Sequence, residues 1–173
     1  MIAVLRAHDI EYVIDVRSAP YSKFKPEFSK EPLERALHEG GLRYVFMGDL
    51  LGGQPAGSEC YIDGKVDYTK VAATINFQTG VERLKAVGAQ QLRAALLCSE
   101  GRPEQCHRSK LIGEVLTAQG IPVSHIDEDG QLRSQFDVIR RLTGGQLDLF
   151  GQPAFTSRKR YPADQNAGEE FPR

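Results

Sequence analysis

Five consecutive apolar residues, Ala94-Ala95-Leu96-Leu97-Cys98, run straight into the polar stretch Ser99-Glu100-Gly101-Arg102-Pro103. The run lacks the alternation of a strand with one wet face. It predicts a central strand of a parallel sheet, covered on both sides. Residues 12–16, 42–46 and 122–126 are further short runs rich in strand formers. Helical patterns lie between them. Residues 3–8 read as the end of a helix. Residues 31–39 form a second, with Ser29 as its cap, Pro32 in its first turn and Gly40-Gly41 at its end. Residues 67–88 predict a helix broken near Gly80, residues 105–119 the clearest helix, and residues 134–142 a last one stopped by Gly144-Gly145. Residues 47–64 read as a long Gly-rich loop, a kind often functional in compact domains. The alternation predicts an α/β fold: a three-layer αβα sandwich with a mostly parallel, Rossmann-like sheet.

Such a fold fits inside 173 residues as a single domain, here residues 1–146. Residues 147–173, punctuated by Pro153, Pro162 and Pro172, read as a docking motif and flexible tail. Lys+Arg 22 against Asp+Glu 23 leaves a formal charge of -1, which excludes a whole-surface electrostatic grip on nucleic acid. No apolar run approaches the roughly 20 residues that span a bilayer. The opening Met1-Ile2-Ala3-Val4-Leu5-Arg6 is too short and too soon charged for a signal peptide. Three cysteines, an odd number, point to free thiols in a reducing cytoplasm.

In an open parallel sheet, ligands bind beyond the carboxyl ends of the strands. Two such ends stand out: Asp15-Val16-Arg17-Ser18-Ala19-Pro20 and Cys98-Ser99-Glu100-Gly101-Arg102-Pro103. If their strands are parallel, Asp15, Arg17, Cys98 and Glu100 converge on one rim. The next helix begins near Cys106-His107-Arg108. At 100° per residue, Arg108 falls on the apolar stripe of Leu111, Ile112, Val115 and Leu116, with Cys106 roughly 150° away. A buried arginine needs an anion, from Asp15, Glu100 or a substrate phosphate. Cys106 joins the site only if the regular helix starts after it.

Structural readings stand beside these. Cys98 fits a core position, and Asp15 with Arg17 or Arg108 fits an ion pair that fixes a loop. His107 fits a hydrogen-bonding helix residue. Gly52-Gly53 fits a turn, and Cys60 an incidental loop residue. The spacing C-x7-C-H matches no common zinc pattern, so no metal ligand is assigned. A cysteine-phosphatase cradle fails by count, because the sixth residue after Cys98 is Glu104 and not arginine.

Three segments together resemble the domain of unknown function 488 family over roughly residues 3–143. They are Asp15-Val16-Arg17-Ser18-Ala19-Pro20-Tyr21-Ser22, Leu51-Gly52-Gly53, and Leu97-Cys98-Ser99-Glu100-Gly101-Arg102-Pro103-Glu104-Gln105-Cys106-His107-Arg108. The family pattern falls on Asp15, Arg17, Pro20, Ser22, Gly52, Gly53, Cys98, Glu100, Pro103, Cys106, His107 and Arg108. The resemblance implies an α/β fold and supplies no reaction. It also implies an N-terminal strand with an Ile-Gly-His-Ser-like turn. This sequence starts inside the following helix, so that strand is expected to be missing and the sheet edge to be left open.

Gln146-Leu147-Asp148-Leu149-Phe150 resembles the pentapeptide by which bacterial repair and replication proteins bind the sliding clamp. Leu149 and Phe150 supply apolar anchors and Gln146 a hydrogen-bonding side chain, with Leu147 in the same partner-binding set; the alternative is that Leu147, Leu149 and Phe150 alternate as a final strand or pack on the domain. Three functional readings result. The first is an enzyme acting on a phosphate-bearing or nucleotide-like anion, or a nucleic-acid end. In it Asp15, Cys98 and Glu100 are catalytic, and Arg17, Ser18, Ser22, Gly52, Gly53, Cys106, His107 and Arg108 bind substrate. The second is a non-catalytic module recruited to the clamp. The third is a thiol redox or metal sensor. No cofactor is assigned.

Overall fold

The computed structural model describes residues 1–145 and 155–161. A three-stranded parallel sheet organises them. Its members are β1 (Tyr12–Asp15), β2 (Arg43–Phe46) and β5 (Ala94–Leu97), in the order β2-β1-β5. Tyr12 stands opposite both Arg43 and Ala94, and Asp15 opposite both Phe46 and Leu97, so the three strands end level. Side chains alternate along β1 and feed two cores. Val13 packs with Leu5 of α1 (Ile2–Ala7), Leu33 and Leu37 of α2 (Lys30–Glu39), and Leu42. Ile14 and Val16 pack on the other side with Leu51, Phe77, Val81, Leu111 and Ile112.

The chain is thus a mixed α/β structure with a small parallel sheet. Two sequence expectations about that sheet are corrected. The central strand is β1, with Val13, Ile14 and Asp15 all buried, whereas the apolar run of β5 is only half-buried. β5 has one strand neighbour among the described residues, and its other side borders a cavity of about 770 Å³ lined partly by Leu84, Leu116 and Val123. The expected fourth strand does not join the sheet. Instead β6 (Ser124–Ile126) forms an antiparallel hairpin with β7 (Leu132–Ser134). The turn is fixed locally: Asp127 Oδ1 accepts from the Asp129 and Gln131 backbones, and Gly130 takes φ +78°.

The loop expected at 47–64 is largely ordered. It holds α3 (Gly48–Leu51), a 3₁₀ turn Ser58–Cys60, and β3 (Tyr61–Ile62) paired with β4 (Lys65–Val66). Cys60 is buried in the core rather than idle in a loop. The predicted break near Gly80 falls elsewhere. α4 (Tyr68–Ala72) and α5 (Ile75–Ala89) are each started by a capping side chain, Asp67 and Thr74. Gly80 lies inside α5, where an added Cβ would come within 2.6 Å of Leu51 Cδ2. Ser29 precedes α2, but its hydroxyl accepts from the Ser22 N–H and does not cap the helix.

The clearest predicted helix, 105–119, is composite. Pro103–Gln105 makes a short 3₁₀ turn, Cys106 is extended, Arg108–Gly113 is π-helical, and only α6 (Glu114–Ala118) is regular. The last helix, α7 (Gln135–Leu142), matches its prediction and is capped by Ser134. Residues 155–161, expected in the flexible tail, pack on the domain. The Ser157 N–H donates to Val66 O at 2.9 Å, the Tyr161 N–H to Gly64 O at 2.7 Å, and Ser157 Oγ accepts from the Val66 N–H at 3.0 Å. These backbone bonds extend the edge of β4, a pairing that composition alone does not reveal. The clamp-like residues Gln146, Leu147, Leu149 and Phe150 lie outside the described residues. Among the described residues no helix is long and apolar enough to cross a membrane.

Candidate functional site

Because β1 and β5 are parallel and level, the chain leaves both strands at the same rim. The two strand ends share this rim, but Asp15 stands level with Leu97, on the Val13 face of the sheet, whereas Cys98 packs on the Ile14 face. The expected convergence of Asp15 with Cys98 in one pocket does not occur, because successive side chains point to opposite faces. The geometry gives Asp15 a structural surrounding. Its carboxylate accepts from Arg17 Nε at 2.8 Å, Arg17 Nη2 at 2.6 Å, the Arg17 backbone at 3.1 Å and the Tyr44 hydroxyl at 2.7 Å. Arg17 Nη1 donates to Phe28 O at 2.7 Å. Both side chains are almost fully buried. Burial alone would lower the Arg17 guanidinium, but the Asp15 carboxylate outweighs it and holds the group above its usual value. Burial and the same carboxylate push the Tyr44 hydroxyl well above its ordinary range.

Cys98 follows β5 directly, and Cys106 and His107 come together beside it. The ring of His107 is the hinge of this group. Nε2 lies 3.1 Å from Val16 O, an acceptor only, so Nε2 carries the proton. In the neutral ring Nδ1 is then an acceptor, facing Cys98 Sγ at 3.4 Å and Cys106 Sγ at 3.8 Å. Arg108 closes the far side. Its Nε and backbone N–H point at Cys106 Sγ from 3.3 and 3.4 Å, and Nη1 and Nη2 donate to Leu96 O and Glu100 O. The arginine, expected on a buried stripe, is half-buried and meets one sulfur and two carbonyls rather than Asp15 or the Glu100 carboxylate. The 100° projection that set Cys106 apart from Arg108 does not hold, because Cys106 precedes a π-helical turn.

The two thiols are held in opposite states. A hydrogen bond to Cys106, aided by burial, drives the Cys98 thiol far up. Burial would also raise Cys106, but the hydrogen bond from Cys98 and the Arg108 charge overcome it and hold this thiol well below its usual value.

Two glycines let the loop after α3 reach the group. An added Cβ at Gly53 would lie 2.8 Å from His107 Cγ, and one at Gly52 would collide with Ser18 Oγ and Gly48 O. Ser18 Oγ accepts from the Gln54 N–H at 2.9 Å. Ser22 belongs to a separate turn, where its hydroxyl accepts from the Lys25 N–H. Above the thiols lies a cleft of about 160 Å³, bordered by Arg17, Ser18, Gly53, Cys98, Glu100 and His107. Arg158 and Lys159 form another wall, with Arg158 Nη2 3.2 Å from Glu100 Oε1. From the sequence, these two residues fall only in the expected tail and neither is assigned to the site. Their place depends on the backbone pairing of 155–161 with β4.

The fold and rim define an α/β domain whose distinguishing feature is a Cys-Cys-His group under a polar cleft. The chain belongs to the family described as Domain of unknown function DUF488, which it matches over residues 1–115, from α1 to α6. No curated protein and no solved structure matches the chain.

Proposed function

We propose that the chain is an enzyme that binds a small phosphate-bearing anion in the rim cleft and acts on it beside Cys98 and His107. The observation that carries this reading is a shared cleft: Cys98 and His107 on one wall, Arg158 and Lys159 on another. Two adjacent cations attract an anion, and arginine offers a planar fork for phosphate oxygens. About 160 Å³ is small beside the roughly 300–1,000 Å³ of ordinary ligand sites. It suits a phosphate group with little else, so a nucleotide or nucleic-acid end would leave most of its body outside. Arg158 is held by Glu100 and Lys159 lies beside it, so an incoming phosphate would compete with the Glu100 carboxylate. Once released, that carboxylate is the cleft's candidate general base. Cys98 stands where a substrate is within reach, whereas Cys106 is buried behind it. Asp15 and Arg17 serve by fixing the end of β1, since their polar atoms already have partners within the protein.

Titration calorimetry with inorganic phosphate and with simple phosphate monoesters tests the reading. Saturable binding is expected, weakened at least tenfold in Arg158→Ala/Lys159→Ala with an unchanged melting temperature. Absence of binding at millimolar phosphate, or equal binding by that double variant, would overturn it.

A further inference from the structure

We propose that Cys98 Sγ, Cys106 Sγ and His107 Nδ1 form a binding site for one zinc ion, with its fourth position open to the rim cleft. These three donor atoms all lie within 4.8 Å of one another. Tetrahedral zinc, with Zn–S of about 2.3 Å and Zn–N of about 2.0–2.1 Å, requires S···N separations of about 3.5 Å. The observed separations are 3.4 Å from Cys98 and 3.8 Å from Cys106. Both S···N separations therefore match a tetrahedral ion to within a few tenths of an ångström.

The surroundings supply what a metal site requires of its outer shell. A ligating histidine donates its second N–H to a carbonyl or carboxylate, which fixes the ring and frees the other nitrogen. His107 does so through Nε2 to Val16 O. Metal-bound sulfur accepts hydrogen bonds, and the Nε and backbone N–H of Arg108 both point at Cys106 Sγ. Gly53 packs on the His107 ring so tightly that a methyl group there would displace it. Two thiolates and a neutral imidazole suit a borderline-soft dication and leave the site neutral overall. Each thiol that enters as S–H releases its proton to solvent, and no electron moves, since zinc has no redox chemistry.

The spacing C-x7-C-H hides this site because a 3₁₀ turn and an extended residue, not a tight knuckle, carry Cys106 back to Cys98. Cys98 and His107 border the cleft whereas Cys106 is buried, so the remaining coordination position faces the cleft. Three protein ligands with one open position is the pattern of a zinc ion that polarises a substrate or a water. That last link rests on the enzyme reading of the cleft; the three ligands do not.

The test uses the full chain, stripped with chelator under reducing conditions and titrated with Zn²⁺ and with Co²⁺ as a spectroscopic probe. One equivalent is expected to bind, and cobalt should give thiolate charge-transfer absorption with the visible bands of a tetrahedral ion. Cys98→Ser and His107→Gln should each weaken binding at least tenfold, and Cys60→Ala should bind as the wild type does. Circular dichroism of each variant reports whether it is folded. Absence of stoichiometric binding by the wild type would overturn the proposal, as would unchanged affinity in both folded ligand variants. The phosphate titration of Arg158→Ala/Lys159→Ala is run on metal-free protein, so either idea can fail while the other stands.

Discussion

Asp15 grips Arg17 with a two-pronged pair at the end of β1, Nε at 2.8 Å and Nη2 at 2.6 Å. Neither group has water to fall back on. Removing one partner leaves a buried charge uncompensated, a loss of about 3–5 kcal/mol. Asp15→Asn and Arg17→Ala should therefore both lower stability by that order in urea unfolding. Arg17→Lys should rescue little, because one ammonium cannot reproduce the fork. Wild-type unfolding by Asp15→Asn would show that the pair does not hold the rim.

Gly53→Ala isolates the position of His107. The added methyl carbon would sit 2.8 Å from His107 Cγ, so the ring must move while the two cores are untouched. Disturbing the support of a metal-ligating histidine costs about 10–100-fold in affinity. Cobalt titration should show a loss at the lower end of that range, with unfolding close to the wild type's. An unchanged affinity would mean that the ring is not held by this contact.

Much of the sheet is legible in the sequence because short β-rich runs between breakers carry local information: β1, β2 and β5 lie within the residues expected of them. The level, parallel ends of β1 and β5 follow from the βα alternation, and they bring Cys98 to the rim as anticipated. Long-range choices are less legible. Whether residues 124–126 join the main sheet or turn back on themselves depends on the Asp127 turn against tertiary pairing, and nothing in the run itself decides it. The π-helical turn at Arg108–Gly113 defeats any projection at 100° per residue, so it concealed the Cys106–Arg108 contact. Arg158 was hidden for a different reason. Its place is set by backbone hydrogen bonds of residues 155–161 together with one hydroxyl, Ser157, and a single serine in a polar run does not announce such pairing.

Ser157 is the anchor of that returning segment. Its hydroxyl accepts from the buried Val66 N–H at 3.0 Å and donates to Lys159 O at 2.7 Å. Ser157→Ala leaves the Val66 N–H without this partner, a penalty of about 1–3 kcal/mol. It should also loosen Arg158 and Lys159. Both a lower melting temperature and weaker phosphate binding are expected, and restored melting with phosphate binding still reduced would separate the two effects. Full phosphate affinity in a destabilised Ser157→Ala would place the cations' support elsewhere.

Acid should weaken the fold in part through His125. The side chain is buried in β6, and its Nε2 lies 2.5 Å from Gln135 Oε1, whose amide nitrogen reaches Ser109 O and Glu114 Oε1. Burial lowers the His125 pKa below its ordinary 6.5, and the Arg108 charge adds to this; the Gln135 oxygen and the Cys106 sulfur oppose them without prevailing. The unfolded chain therefore binds the proton more readily than the folded one. Stability from the neutral ring is fully present above about pH 6.5 and falls as the pH drops below that value, by at most about 1.4 kcal/mol per pH unit. Urea unfolding of the wild type should weaken between about pH 7 and pH 5.5. His125→Asn, which keeps a hydrogen-bonding side chain and cannot titrate there, should lose part of that slope even if its stability at neutral pH is lower. Identical slopes for the two proteins would assign the acid response to another group.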